Sequence, residues 1–140
     1  MTRLYEAWRR LRARVGHRGA SLLFFAFLDL VYAGSLAWAP ASVRSSPSYA
    51  FLTGFLPLWA WTVMWAGVGL LCLVQAFTRA DRAAFACASL LKVGWGVLHV
   101  AGWLLDVVPR GYVAAVIWLA LAGFVQVIAS WPEPARPGRR

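Results

Sequence analysis

The chain has 140 residues, enough for one domain. It is 61% hydrophobic and 14% charged, against roughly 45–50% apolar and about 25% charged for a soluble globular domain, and that imbalance excludes an ordinary water-soluble fold. The formal net charge is +9, from fourteen Lys+Arg against five Asp+Glu, and where the cations fall decides between a nucleic-acid surface and a membrane.

Residues 2–17 read as an amphipathic helix. Leu4, Trp8, Leu11 and Val15 recur at spacings of four, three and four and form one apolar stripe among arginines. Such a helix is expected to lie in the membrane interface with its arginines on anionic headgroups. A first apolar stretch follows over 20–39. Ala37-Trp38-Ala39 has the small-x-small form of a signal-peptide cleavage site. Pro40 follows directly, however, and Asp29 interrupts the apolar run, so the stretch is expected to remain as a span. Residues 40–51, with Pro40, Ser45, Ser46 and Pro47, read as a loop.

A second apolar stretch covers 52–77 without a formal charge. Pro57 is expected in the first turn of its helix, where the missing N–H costs little. Thr78-Arg79-Ala80-Asp81-Arg82 is a tight turn, with Asp81 placed to cap the next helix. A third stretch covers 83–108, Pro109-Arg110-Gly111 makes another tight turn, and a fourth stretch covers 112–131. A bilayer crossing takes ~20 apolar residues, and short connections make successive helices antiparallel neighbours. Residues 132–140 read as a disordered basic tail.

Six arginines precede the first stretch, two lie between the second and third, and three follow the fourth. Only Arg44 and Arg110 fall on the other side, and Lys92 lies inside a stretch. Basic charge confined to one side of the spans speaks for membrane topology and against nucleic acid, and it places both termini in the cytoplasm. Thirteen of the fourteen cations are arginine, there is no asparagine, and Ile117 and Ile128 are the only isoleucines. GC-rich coding would give that bias, as in a high-GC bacterium or a virus of one. The expected fold is an all-α integral membrane protein of the bacterial cytoplasmic membrane. It has a basic amphipathic interfacial leader over 1–19, a four-transmembrane-helix bundle over 20–131 and a tail over 132–140.

Most of the nine tryptophans fall where aromatic belts sit. Trp38, Trp59, Trp61 and Trp103 fall toward the outer face and Trp8 and Trp131 toward the inner one, whereas Trp65, Trp95 and Trp118 lie deeper. Cys72 and Cys87 flank the same turn and read as small packing residues on the reducing side. Gln75 and Gln126 are candidates for hydrogen bonds between helices. No internal repeat emerges from the residues themselves.

Asp29 lies nine residues into the first stretch and Lys92 nine into the third. Both stretches run in the same direction, so the two charges share a depth of ~13–14 Å, near the middle of a ~30 Å hydrocarbon core. An unpaired charge there costs ~2.5–3.5 kcal/mol on insertion scales, so a buried Asp29–Lys92 ion pair is expected. Ala26 and Ala33 flank Asp29, and Ser89 and Gly96 flank Lys92, which lets the helices approach. Ser89, Lys92, His99 and Asp106 form a polar stripe on one face of the third helix. A water-lined path or proton relay would use such a stripe. So few polar groups over four turns do not make a channel, and the stripe reads as an interior helix face. No nucleophile–base set, phosphate loop or metal-ligand spacing is present, so neither enzymatic activity, a cofactor nor a metal is expected.

The layout resembles small four-span membrane proteins of actinobacteria and their phages. The resemblance rests on Arg18-Gly19-Ala20 leading into Phe24-Phe25-Ala26-Phe27-Leu28-Asp29, on Val74-Gln75-Ala76-Phe77, and on the terminal Ala129-Ser130-Trp131-Pro132-Glu133-Pro134. Such proteins are often grouped with phage lysis functions as holin-like. The resemblance implies a homo-oligomer that permeabilises the cytoplasmic membrane and releases an endolysin, with no holin functional residue carried over. The alternative is a non-lytic membrane protein: an assembly or exclusion factor, or a small transporter subunit.

Overall fold

The computed structural model describes residues 2–78 and 80–132, with side chains from residue 15 onward. Every regular element among them is helical: α1 (Thr2–Ala37), α2 (Ala41–Arg44), α3 (Pro47–Phe55), α4 (Leu58–Gln75), α5 (Arg82–Leu104) and α6 (Gly111–Ser130). Four segments are long and apolar enough to cross a membrane: Val15–Ala37, Leu58–Gln75, Arg82–Leu104 and Gly111–Ser130. The side chains that would make the leader's stripe amphipathic, and the expected disordered tail from residue 133, lie outside the described residues.

Backbone chemistry sets the breaks. Gly16, at φ 62° and ψ −176°, interrupts α1. Glycine enters that region at little steric cost, so the leader helix and the first span are two helices joined at one residue. The second apolar stretch does not form one helix from residue 52. Leu56 is extended at φ −143° and ψ 144°, and Pro57 forms the N-cap of α4. A residue before proline is pushed out of the α region, so 52–55 join the short helix α3 while α4 begins at Leu58. The expected loop over 40–51 therefore contains α2 and most of α3. At the end of α5, Asp106 takes φ 55°. Its N–H donates to Trp103 O at 3.0 Å, and the Val107 N–H to Gly102 O at 2.9 Å. Those paired bonds satisfy carbonyls that the ending helix would otherwise orphan.

The four long apolar segments pack as two hairpins. The backbones of α1 and α4 run close together, as do those of α5 and α6; between the hairpins α4 and α5 approach along part of their length, and α1 and α5 at only a few positions. Small residues set the intimate contacts. A Cβ on Gly69 would lie 2.9 Å from Leu30 Cγ, and one on Gly96 would lie 2.9 Å from Leu119 Cγ. Toward the end that holds Gly16 and the 76–81 turn, here the leader end, Leu22, Phe25, Cys72, Phe85 and Val125 build one core cluster. Toward the opposite, far end, Leu36, Leu52, Trp61, Trp65 and Trp95 build another.

The two hairpins repeat each other in structure. Shifting α1 by 63 residues lays Leu22, Phe25, Ala26, Asp29 and Ala33 on Phe85, Ala88, Ser89, Lys92 and Gly96, every one of them buried. Shifting α4 by 53 lays Gly69 and Cys72 on Ala122 and Val125, again all buried. Several equivalent residues touch one another: Arg18 with Asp81, Asp29 with Lys92, Tyr32 with Trp95, and Trp65 with Trp118. Residues that meet their own equivalents mark a pseudo-two-fold axis, and here it runs along the bundle.

Candidate functional site

Asp29 on α1 and Lys92 on α5 meet on that axis. Lys92 Nζ donates to Asp29 Oδ1 at 2.7 Å, and both side chains are 0% exposed. The alanines around Asp29, with Ser89 and Gly96 around Lys92, keep both helix faces narrow enough for the two polar groups to meet. The ammonium lies 5.4 Å from the Phe25 ring centroid and 5.6 Å from that of Trp65, within reach of cation–π attraction. Asp29 Oδ2 has no hydrogen-bond partner among the described residues. Desolvation offsets most of a buried pair's Coulomb gain, so the pair adds little net stability. Its force lies in what it forbids, because either charge alone in this interior is strongly unfavourable.

An aromatic cluster closes the interior on the far side of the pair. Trp95 Nε1 donates to Tyr32 Oη at 2.9 Å. The Tyr32 ring lies 4.4 Å from Trp65 and 5.0 Å from Trp118, and Trp65 lies 5.0 Å from Trp118. Each of the four long apolar helices supplies at least one ring: Tyr32 from α1, Trp65 from α4, Trp95 from α5 and Trp118 from α6. Trp61, read from sequence as an interfacial anchor, belongs to this interior instead. It is 6% exposed, its ring lies 5.0 Å from Trp95, and its Nε1 donates to Leu52 O at 3.1 Å. Trp38 and Trp59, at 83% and 70% exposed, stay on the outside.

A second polar contact lies at the leader end. Arg18 Nε and Nη2 donate to the two Asp81 oxygens at 2.7 and 2.9 Å, and Nη1 donates to Ala129 O at 2.9 Å and Trp131 O at 3.2 Å. The guanidinium also lies over the Phe85 ring at 5.1 Å. One planar fork thus joins α1, the turn before α5 and the end of α6, a geometry that a point-charge ammonium cannot copy. Asp81 occupies the N-cap position of α5 without a side-chain cap bond, because Arg18 takes its carboxylate. Gln75 does the capping: its Oε1 accepts from the Ala84 N–H at 2.9 Å. Gln126 is exposed.

The polar stripe read on the third helix separates into local contacts. Ser89 Oγ donates to Ala122 O at 3.5 Å. His99 Nδ1 lies 2.8 Å from Trp95 O, and since a carbonyl only accepts, that nitrogen carries the proton. Asp106 is not on the stripe. α5 ends at Leu104, and Asp106 is an exposed residue in the left-handed turn beyond it. Ser89 and Lys92 remain buried, while His99 is half-buried with its ring 5.6 Å from that of Trp95. Among the described residues no group of three His, Cys, Asp or Glu could hold a metal. Cys72 is buried and Cys87 half-buried, both as free thiols.

No family model, no curated protein and no solved structure matches this chain.

Two outcomes are expected from this geometry. Asp29→Asn and Lys92→Met should each lower stability by about 3–5 kcal/mol, while the double substitution should lose less than either alone, as read by thermal unfolding in detergent. Additive losses would separate the two side chains. At the leader end, Arg18→Lys should lose about 1.5–3 kcal/mol, the scale of charge-assisted hydrogen bonds, and Arg18→Ala no less. Melting of the lysine variant at the wild-type temperature would show that charge alone suffices there.

Proposed function

We propose that this chain is a polytopic protein of the bacterial cytoplasmic membrane, with both termini cytoplasmic, and that it works as a holin-type protein: copies gather in the bilayer and permeabilise it. The carrying observation is where polarity sits. The outward faces of the spans present large apolar side chains such as Phe27, Val63, Leu70, Leu90, Val116 and Phe124, at 67%, 61%, 52%, 70%, 65% and 51% exposed. Asp29 and Lys92 are turned wholly inward. An exterior of that kind suits lipid rather than water. The excess of arginine at the leader end fits the cytoplasmic side, and an amphipathic leader on anionic headgroups would hold each copy at that surface.

One observation favours a second reading. The Asp29–Lys92 pair is sealed by aromatic rings and offers a single bundle no wet path. A non-lytic assembly or exclusion factor, or a transporter subunit, would keep its interior closed in that way. A lesion would have to open it.

Regulated expression in a bacterial host separates the two. The holin-type reading expects the membrane potential, followed with a voltage-sensitive dye, to collapse after a delay, and cells to lyse when an endolysin without its own export signal is co-expressed. Full accumulation of the protein in the membrane with the potential intact and no lysis would overturn it in favour of the non-lytic reading.

A further inference from the structure

The axial contacts between the hairpins form a complementary pair of charge patterns. Along the axis from the leader end, the first hairpin presents Arg18 and then Asp29, and the second presents Asp81 and then Lys92. Cation meets anion at both levels because the order is inverted between the halves. Two first hairpins would set Arg18 on Arg18 and Asp29 on Asp29. Two second hairpins would set Asp81 on Asp81 and Lys92 on Lys92. Like-charge juxtaposition inside a bundle is the usual means of rejecting a wrong partner.

Nothing in this pattern depends on both hairpins belonging to one chain. Within each hairpin a leucine packs directly on a glycine of the facing helix, Leu30 on Gly69 and Leu119 on Gly96. Between hairpins, α4 and α5 approach along part of their length, the two ion pairs and the rings of Tyr32, Trp65, Trp95 and Trp118 meet, Gln75 accepts from the Ala84 N–H, and the core of Leu22, Phe25, Cys72, Phe85 and Val125 crosses the joint; an exchanged partner would remake each of these contacts. The covalent link is the 76–81 turn. Its six residues reach about 20 Å when extended, against about 8–10 Å between the axes of packed helices, so the turn can cross to an adjoining bundle. Short hinge turns between two halves that share an interface are where exchange between copies occurs.

We propose that the partner surface of each hairpin is the complementary hairpin of a second copy of this chain, so that copies associate by exchanging hairpins, with Asp29–Lys92 and Arg18–Asp81 specifying first-with-second pairing. A closed exchange gives a dimer with every axial contact kept, and an open one gives a chain of copies. The proposal does not depend on a lytic role and stands or falls without it.

The test uses two full-length chains with different tags, one carrying Asp29→Asn and the other Lys92→Met. Expressed alone, each holds a lone buried charge in every bundle and should accumulate in the membrane to about a tenth of wild type or less. Expressed together, exchange rebuilds Asp29 with Lys92 in one bundle and leaves the neutral Asn and Met in the other. Both chains should then rise several-fold and each tag should capture the other. The double variant on one chain, which carries the same neutral combination, should accumulate well. If it does and co-expression neither raises the two single variants nor yields co-capture, exchange is overturned. Wild-type accumulation of either single variant alone would equally overturn it, because the pair would then specify nothing. Rescue in membranes that keep their potential would uphold exchange while removing the lesion-forming reading.

Discussion

The bond between Lys92 and Asp29 is the constraint on which the rest of the structure depends. A charge in an apolar interior is tolerated only beside its partner, so burying these two at 0% exposure fixes which helix faces meet and at what depth. α1 and α5 must run parallel and in register, small residues must flank the pair, and aromatic rings must close the space around the ammonium. The pair is better understood as a register lock than as a source of net stability. Hydrophobic side chains of the same volume would hold the bundle as well but would allow it to slide.

The repeat between the hairpins gives that lock its form. Each hairpin is built on close backbone packing and offers one narrow face to the other. On those faces the residues that meet are equivalents under a single shift of 63 residues: Arg18 and Asp81, Asp29 and Lys92, Tyr32 and Trp95. A strictly two-fold unit would oppose identical side chains on its axis. Here the axis carries acid against base at two levels and phenol against indole at a third, while Trp65 meets its identical equivalent Trp118. Opening this joint would expose Asp29, Lys92, Tyr32 and Arg18 together.

Much of this architecture is legible in the sequence, because the signals that carry it are long-range averages or large energies. Four long apolar helices and the meeting of Asp29 with Lys92 follow from the length of the apolar stretches and the cost of a buried charge. Boundaries set by one backbone torsion are not legible in that way. Leu56 before Pro57 splits off α3, and the left-handed turn at Asp106 ends α5 before the stripe can continue. Partners chosen by tertiary contact are also hidden. Arg18 reads as one of many topogenic arginines, Asp81 as a local cap, and Trp61 as a belt residue, until the fold brings Arg18 to Asp81 and Trp61 to Leu52 O. A usable signal did exist. The separation that pairs Asp29 with Lys92, applied along the whole of α1, also pairs Tyr32 with Trp95 and Arg18 with Asp81. Residue similarity conceals the repeat because most equivalent positions hold different side chains, with Trp65 and Trp118 an exception.

The docking of one hairpin on the other can be read directly from a single distance in the bilayer. Lys92 is the only lysine, so a nitrogen-15 label on lysine Nζ reports on this residue alone. The measurement is its dipolar coupling to carbon-13-labelled aspartate carboxyls in lipid by solid-state NMR. A direct ion pair is expected to give strong dephasing that disappears in Asp29→Asn and persists in Asp81→Asn and Asp106→Asn. Absence of dephasing in the wild-type protein, or dephasing that survives removal of Asp29, would contradict a bundle organised around this pair.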